Sequence, residues 1–462
     1  MALPNEKATG GKPALLPETV RFPARQTARL VLLMLNKIAT QNTGRRVASI
    51  SRRLPCCRSL LLFAGLLASG TAVGQTVETG QIPVLADSIA RLTETDVADV
   101  ARTCLPRLFS AARDTAVVEP GRRYTILLPS VSYSLATSGL AQLTSSTAFR
   151  RPAANMSSVV ASLAYTQNDQ LILSGITSVW TAANRYNLVG DWRIMHYPLS
   201  TYGLGMHTTV ASAIPMDYKY LRLYQSVLRR VGAQLYAGLG YQLDYHWDVS
   251  SQQNQRPVSA VSEHRPGVQG RSTSSGVALT LLYDSRGNGL NAVAGSTYLN
   301  LMLRSNLQAL GSDANYQSVV LDARRYLRLR PGSRNVLALW AYDAFVVGGL
   351  APFLDLPGTG WDTYNNTGRG YIQGRFRGPS FLYAEAEYRY GITHNGLLGG
   401  VVFLNAQSAA EPRHQRFDAV APAAGVGLRL NLNKQTRTNL AVDYGIGLQG
   451  SRGLFFNFGE VF

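Results

Sequence analysis

The sequence predicts an all-β protein, a 16-stranded antiparallel transmembrane β-barrel that occupies residues 123–462. Two observations predict it: short segments of alternating apolar and polar residues separated by turns, and a secretory-type leader before them. A segment of only about ten residues can cross a bilayer as a tilted strand of a closed barrel. The alternative is a soluble β-sandwich, whose strands also alternate. The large number of segments and the leader favour the barrel.

The segment 438–446 illustrates the alternation. One face is apolar and the other is small or polar: Leu440, Val442, Tyr444 and Ile446 against Asn439, Ala441, Asp443 and Gly445. Because side chains alternate across a strand, the first face suits lipid and the second suits a polar interior.

Sixteen such strands can be counted, an even number as in bacterial single-chain barrels. They are placed at 123–135, 138–150, 156–166, 169–182, 184–197, 217–230, 233–249, 272–285, 293–305, 314–328, 334–348, 379–393, 395–408, 421–433, 436–447 and 452–461. If the first strand starts in the periplasm, the four long connections all fall on the extracellular side: 198–216, 250–271, 349–378 and 409–420.

The composition agrees with a barrel and disfavours a nucleic-acid partner. Only 16% of residues are charged, against about 25% in soluble domains, and the mean hydropathy of −0.03 is too low for a helical membrane protein. The net charge of +18 is concentrated at the start, since residues 1–74 hold 11 Lys and Arg and only 2 Asp and Glu. The remaining excess forms no dense basic run.

Residues 1–74 form the predicted signal region. Basic residues precede a short apolar core at 60–68, and small residues follow up to Gly74. Met34 would give a signal of more ordinary length. Met34 is therefore an alternative start, in which case residues 1–33 are mis-called. Cleavage after Gly74 would leave Cys104 as the only cysteine, which excludes an intramolecular disulfide.

Residues 75–122 form a short predicted periplasmic lead. Val97, Val100, Ala101 and Cys104 recur at helical spacing, and Asp96 stands near a plausible helix start. The sequence leaves a short helix and a partly ordered tail as alternatives.

The longest connection, 350–378, contains Gly368-Arg369-Gly370-Tyr371. Connections of this length are usually functional or disordered, and the flanking glycines favour tight backbone turns over disorder. The following strand places Glu385, Glu387 and Arg389 on one face, and Asp443 and Arg429 are expected on the same lumenal side. These carboxylates could receive an arginine buried in the barrel. The alternative is an exposed loop with a solvated Arg369.

Residues 120–462 resemble the BamA/TamA superfamily of outer-membrane insertase and translocase barrels, also called the bacterial surface antigen family. Five short segments, in order along the chain, carry the resemblance. They are Asp284-Ser285-Arg286-Gly287-Asn288 with Gly295 (the family's D-x-R-x-N…G turn), Gly368-Arg369-Gly370-Tyr371 (V-R-G-F/Y), Glu387-Tyr388-Arg389 (E-Y-R), Asp443-Tyr444-Gly445 (D-Y-G) and Gly459-Glu460-Val461-Phe462 (G-E-x-F).

The resemblance implies that the long extracellular loop folds into the lumen and that Arg369 docks near Glu387 and the thirteenth strand. Asn405 stands where the family has an aspartate, so the implied ion pair there becomes a hydrogen bond, and Glu385 or Glu387 would compensate. The implied lumenal partners are thus Glu385, Glu387, Arg389, Asn405 and Asp443. Family insertases also carry POTRA domains, for which the 48 residues of the lead are too few, so the barrel is expected to lack them.

The predicted function is assistance in the assembly, insertion or translocation of outer-membrane or surface proteins in the bacterial outer membrane. The route would be a weak junction between the first and last strands, with Pro129, Gly453 and Phe462 as junction residues. Outer-membrane lipids are the predicted partners. The sequence leaves open whether unfolded outer-membrane proteins and a periplasmic subunit are partners as well. A passive pore or structural barrel is the alternative. The sequence shows no metal spacing, nucleophile motif or phosphate loop, so it predicts neither an enzyme nor a cofactor.

Overall fold

The computed structural model describes residues 94–104, 120–134, 136–251, 267–330, 333–412 and 415–462. The predicted signal region 1–74, with its alternative start at Met34, lies outside the described residues. Within the described parts, no helix combines the length and the apolar composition needed to cross a bilayer.

The described residues contain all sixteen predicted strands, and a short seventeenth lies in one of the long connections. The strands are β1 (Arg123–Ser134), β2 (Ser138–Arg150), β3 (Met156–Thr166), β4 (Leu171–Trp180), β5 (Tyr186–His196), β6 (Leu199–Thr201), β7 (Ile214–Gly232), β8 (Leu235–Ser251), β9 (Gly270–Asp284), β10 (Thr297–Asn306), β11 (Tyr316–Arg328), β12 (Val336–Gly349), β13 (Ser380–Gly391), β14 (Leu398–Ala409), β15 (Ala421–Asn433), β16 (Thr438–Gly447) and β17 (Arg452–Phe458). The extra strand is β6, which pairs only with the first residues of β7.

Every other strand pairs antiparallel with its neighbour in the chain, from β1–β2 through β5–β7 to β16–β17. This meander confirms the predicted fold class. The two ends of the sheet approach each other, since some residues of β1 and β17 are in contact. Among the described residues, however, no ladder of backbone hydrogen bonds joins β1 to β17.

The two faces of the sheet are the reverse of those in a soluble β-sandwich. The outer face carries exposed large apolar side chains, among them Leu127, Leu173, Leu239, Val277, Leu404 and Val426. The inner face buries charged side chains, among them Arg222, Asp244, Arg304, Asp322 and Arg324. Soluble proteins rarely bury so many charges, whereas a transmembrane barrel alternates apolar outward and polar inward.

A helix, α1 (Val97–Cys104), lies beside the β13–β14 and β15–β16 turns. Asp96 caps it, because its carboxylate accepts the Asp99 backbone N–H at 2.9 Å and its own N–H donates to the Asp99 carboxylate at 3.0 Å. Lys434, in the β15–β16 turn, holds the helix in place through its backbone N–H to Asp96 (3.1 Å) and its ammonium to Asp99 (3.0 Å). Val97 and Val100 are exposed, so polar contacts rather than the predicted apolar stripe fix this helix.

The last strand is shorter than the predicted 452–461. It ends at Phe458, and Gly459, with φ of +89°, turns the chain into the lumen. A side chain at Gly459 would place Cβ only 2.6 Å from the Leu290 carbonyl oxygen. Glu460 and Phe462 therefore both lie inside the barrel rather than in the last strand, and the placement of Phe462 at the strand junction is wrong.

Candidate functional site

The β12–β13 loop (residues 350–379) folds into the lumen, as the resemblance implied. Gly368, Arg369, Gly370 and Tyr371 at its tip are all buried, and Arg369 has an exposed fraction of 0%. The alternative of a solvated Arg369 on an exterior loop is excluded.

Three carboxylates from two parts of the wall receive the Arg369 guanidinium. It donates to Asp443 of β16 at 2.5 Å, to Glu387 of β13 at 2.5 Å and to Glu385 of the same strand. The guanidinium carbon also lies 3.8 Å from the centre of the Phe403 ring. Burying a charge costs roughly several kcal/mol unless the charge is paired and hydrogen-bonded. Here each carboxylate that receives the guanidinium is itself buried.

Two further arginines join the same network. Arg389 donates to Glu387 at 2.6 Å, and Arg429 of β15 donates to Asp443 at 2.6 Å. Glu460, in the C-terminal tail, accepts from Arg429 at 2.7 Å. The network thus joins three guanidiniums to four carboxylates across β13, β15, β16, the loop and the tail. The contact of Glu460 with Arg429 was not predicted, because strand alternation was extended to the end of the chain.

Asn405 contacts Arg369 in a way that the sequence did not indicate. Its amide Nδ2 donates to the Arg369 backbone carbonyl at 2.9 Å, rather than receiving the guanidinium. The charge of Arg369 is balanced by Glu385, Glu387 and Asp443, so Asn405 contributes a hydrogen bond to the loop backbone and no charge.

Close backbone packing holds the loop tip against β16. A Cβ atom at Gly445 would lie 2.7 Å from the Gly370 backbone nitrogen, and Gly370 itself has φ of +107°. The Tyr371 hydroxyl donates to the Pro422 carbonyl at 2.6 Å and accepts the Leu448 backbone N–H at 2.9 Å. The tip is therefore fixed by shape as well as by charge.

The rest of the loop is tied to the opposite wall. Arg193 of β5 donates to the Thr363 carbonyl and to the Asn365 side chain. Arg375 donates to the Thr208 hydroxyl at 2.7 Å. The loop consequently bridges the lumen from β5 to β16.

The two other predicted junction residues lie in the edge strands. Pro129 is exposed in β1, where it pairs opposite Leu143 of β2. Gly453 lies in β17 opposite Gly445. Phe462, by contrast, stacks in the lumen on Trp340 with ring centres 5.1 Å apart, and its carbonyl accepts from Arg389 at 3.0 Å.

A second charged cluster lines the opposite wall and was not predicted. Asp244 accepts from Arg304 at 2.6 Å and from the Tyr224 hydroxyl at 2.6 Å, and Arg222 donates to Asp191 at 3.2 Å. The cluster borders a cavity of about 330 Å³ between the loop and the β4–β12 wall. A signal was available in the sequence: an acidic residue stands two positions before an arginine in Asp191–Arg193, Asp284–Arg286 and Asp322–Arg324, and each pair is a salt bridge.

Comparisons with known proteins find similar folds and no match in sequence. No family model and no curated protein match the sequence. Among solved structures, BamA from Haemophilus ducreyi lacking POTRA domains 1–3 is similar with a TM-score of 0.46 and 15% identity over 73% of this chain and 70% of that chain. CdiB from Acinetobacter baumannii has a TM-score of 0.46 and 14% identity over 73% of this chain and 59% of its own. OccK11 (OpdR) from Pseudomonas aeruginosa has a TM-score of 0.29 and 12% identity over 72% of this chain and 92% of its own. These likenesses concern the fold alone.

Proposed function

We propose that this chain is an outer-membrane barrel that assists the insertion or translocation of outer-membrane or surface proteins at the junction of β1 and β17. The single observation that carries the proposal is that these two strands approach each other but, among the described residues, share no ladder. Their facing N–H and C=O groups are then available to a strand of another chain, which is the chemistry of β-strand addition.

The membrane makes such a junction reactive. An unpaired backbone group that faces hydrocarbon costs roughly several kcal/mol. An incoming strand that supplies hydrogen-bond partners to such groups is therefore favoured. Because the incoming strand supplies these hydrogen bonds itself, the pairing needs no nucleotide. Pro129, which has no N–H to donate, weakens pairing along β1.

The docked loop supports passage at the junction rather than through the lumen. The cavity left beside the loop, about 330 Å³, has the size of a small-molecule site and is far too small for a folding polypeptide. Arg369 and its carboxylates also fix β13 to β16, so the β17 side of the junction adjoins a rigid wall.

A covalent lock across the junction tests the proposal. Cysteine pairs stepped along β1 and β17 are oxidised in cells, and the assembly of other outer-membrane proteins is followed by profiling the outer-membrane proteome. Locked cells are expected to lose other barrels or surface proteins selectively. The matched control is Ala384→Cys with Ala406→Cys, which are direct partners in the β13–β14 ladder. Unchanged assembly in verified, locked cells would refute the proposal.

A passive pore is the second candidate, because the remaining cavity is lined by charged and aromatic side chains. It predicts that deleting residues 350–378 sharply raises conductance in a planar bilayer, and that locking the junction leaves the assembly of other outer-membrane proteins unchanged.

A further inference from the structure

We propose that the β9–β10 connection is an internal latch that holds the β1–β17 junction closed at its periplasmic end, with Leu290 as the bridging residue. The purpose of the latch rests on the proposed function, whereas the contacts that form it do not depend on that function. The connection, residues 285–296, is called the strap below. It starts from the middle of the strand order and reaches the two edges of the sheet.

On one side of the junction the strap holds the strands next to β1. The Gly287 carbonyl accepts the backbone N–H of Met156, the first residue of β3, at 2.9 Å. The Leu290 side chain packs against the buried pair Ala148 and Met156, and Tyr124 of β1 packs against the same pair. The strap thus contributes to the apolar cluster that gathers the ends of β1, β2 and β3.

On the other side the strap holds the segment that follows β17. The Leu290 carbonyl accepts the Glu460 backbone N–H at 2.8 Å. Gly459 lies so close that a Cβ atom there would be 2.6 Å from the same carbonyl oxygen. One residue therefore contacts the β1 side through its side chain and the β17 side through its backbone.

Asn288 sets the position of Leu290. Its amide Nδ2 donates to the Thr436 carbonyl in the β15–β16 turn at 2.8 Å, and its Oδ1 accepts the Leu290 backbone N–H at 2.9 Å. Asn288 is buried, so both ends of its amide are used within the protein. The side chain consequently anchors the strap to the wall beside β16 and β17.

The contacts have the distribution expected of a latch. A ladder would join β1 and β17 along their length, whereas the strap joins their neighbourhoods only near the start of β1 and beyond the end of β17. Weakening the strap is therefore expected to widen the periplasmic end of the junction first and to leave the extracellular end unaffected.

The test measures this widening directly in the full chain in lipid bilayers. Spin labels are placed on outward-facing, exposed positions in a background with Cys56, Cys57 and Cys104 replaced by serine. The periplasmic pair is Arg123 with Phe456, and the extracellular pair is Val131 with Arg452. Leu290→Ala and, independently, Asn288→Ala are compared with the parent protein by pulsed distance measurements.

The expected result is a longer mean distance for the periplasmic pair, by at least one strand spacing of about 4.8 Å, with no change for the extracellular pair. Leu279→Ala is the matched control, because Leu279 is a leucine of the adjoining strand β9 whose side chain is exposed on the outer face. Resistance of the folded barrel to unfolding in gel electrophoresis confirms that each variant is folded.

Unchanged periplasmic distances in both folded variants, or equal widening at both ends, would overturn the latch. This outcome is distinct from failure of the proposed function. If the variants widen the junction while covalent locking leaves the assembly of other proteins unaffected, the latch stands and the insertion role does not.

Discussion

The Arg369 guanidinium and the Asp443 carboxylate lie 2.5 Å apart, and neither side chain has any exposed surface. The contact joins the tip of the β12–β13 loop to β16, the strand that pairs with β17. It links the content of the lumen to the edge of the sheet where the barrel is unpaired. The state of the loop and the state of the junction are thus physically connected.

Replacing Arg369 by alanine is expected to destabilise the barrel strongly. The substitution leaves Glu385, Glu387 and Asp443 buried without their common partner, and breaking a buried pair typically costs about 3–5 kcal/mol. The free energy of unfolding in lipid vesicles measures the loss. Arg416→Ala is the control, because Arg416 is an exposed arginine of the β14–β15 connection and its removal is expected to change stability by less than about 0.5 kcal/mol. Equal effects of the two substitutions would show that Arg369 is not the anchor.

Glu387→Gln is expected to cost more than Glu385→Gln. Glu387 receives Arg369 and Arg389 and lies 3.5 Å from Arg429, whereas Glu385 receives Arg369 and the Tyr383 hydroxyl. Neutralising Glu387 therefore removes the charge that more guanidiniums share. Thermal unfolding of the two isosteric variants measures the order, and the reverse order would contradict this description of the network.

Asn405→Asp is expected to destabilise the barrel, although it introduces the residue found in the resembling family. The Asn405 amide donates to the Arg369 carbonyl, and an aspartate would bring a carboxylate to that oxygen. The network already contains four carboxylates and three guanidiniums. A higher melting temperature for this variant would mean that the guanidinium, rather than the carbonyl, is the true partner of position 405.

Gly445→Ala is expected to displace the loop tip without altering any charge. Its Cβ would meet the Gly370 nitrogen at 2.7 Å, and overpacking of this kind costs about 1–3 kcal/mol. Limited proteolysis within residues 360–375 reports the displacement. Gly391→Ala is the control, because the nearest atom to its Cβ would be 3.9 Å away. A loop that stays protected in Gly445→Ala would show that the tip does not depend on this close approach.

The sequence predicted the strands well because alternation records which face is lipid and which is lumen. It predicted Arg369, Glu385, Glu387 and Asp443 as neighbours because they fall on inward positions or in an unusual loop. The course of residues 459–462 was missed, since Gly459 changes the chain direction through a backbone conformation that alternation does not encode. Leu290 was missed for a related reason: its role depends on the approach of two sheet edges that are distant in sequence.

His246 is a residue whose position follows from strand alternation and not from its residue type. Its neighbour Trp247 suggests a place in an aromatic girdle at the membrane interface. The structure instead buries His246 on the lumenal side, stacked on Tyr220 with ring centres 4.2 Å apart and 3.6 Å from Asp355 of the loop. Strand alternation places adjacent residues on opposite faces, and here it outweighs residue type as a predictor.

Photocrosslinking at the junction tests the central claim most directly. A photoreactive amino acid is placed at Leu127 of β1 or Phe456 of β17, and at Leu404 of β14 as the control; Leu127 and Leu404 are matched in exposure, at 62% and 61%. In cells that synthesise a tagged outer-membrane client, Leu127 and Phe456 are predicted to crosslink to the client during its assembly, while Leu404 crosslinks at background. Equal crosslinking at all three positions, or none at the junction while the client assembles normally, would contradict strand addition between β1 and β17.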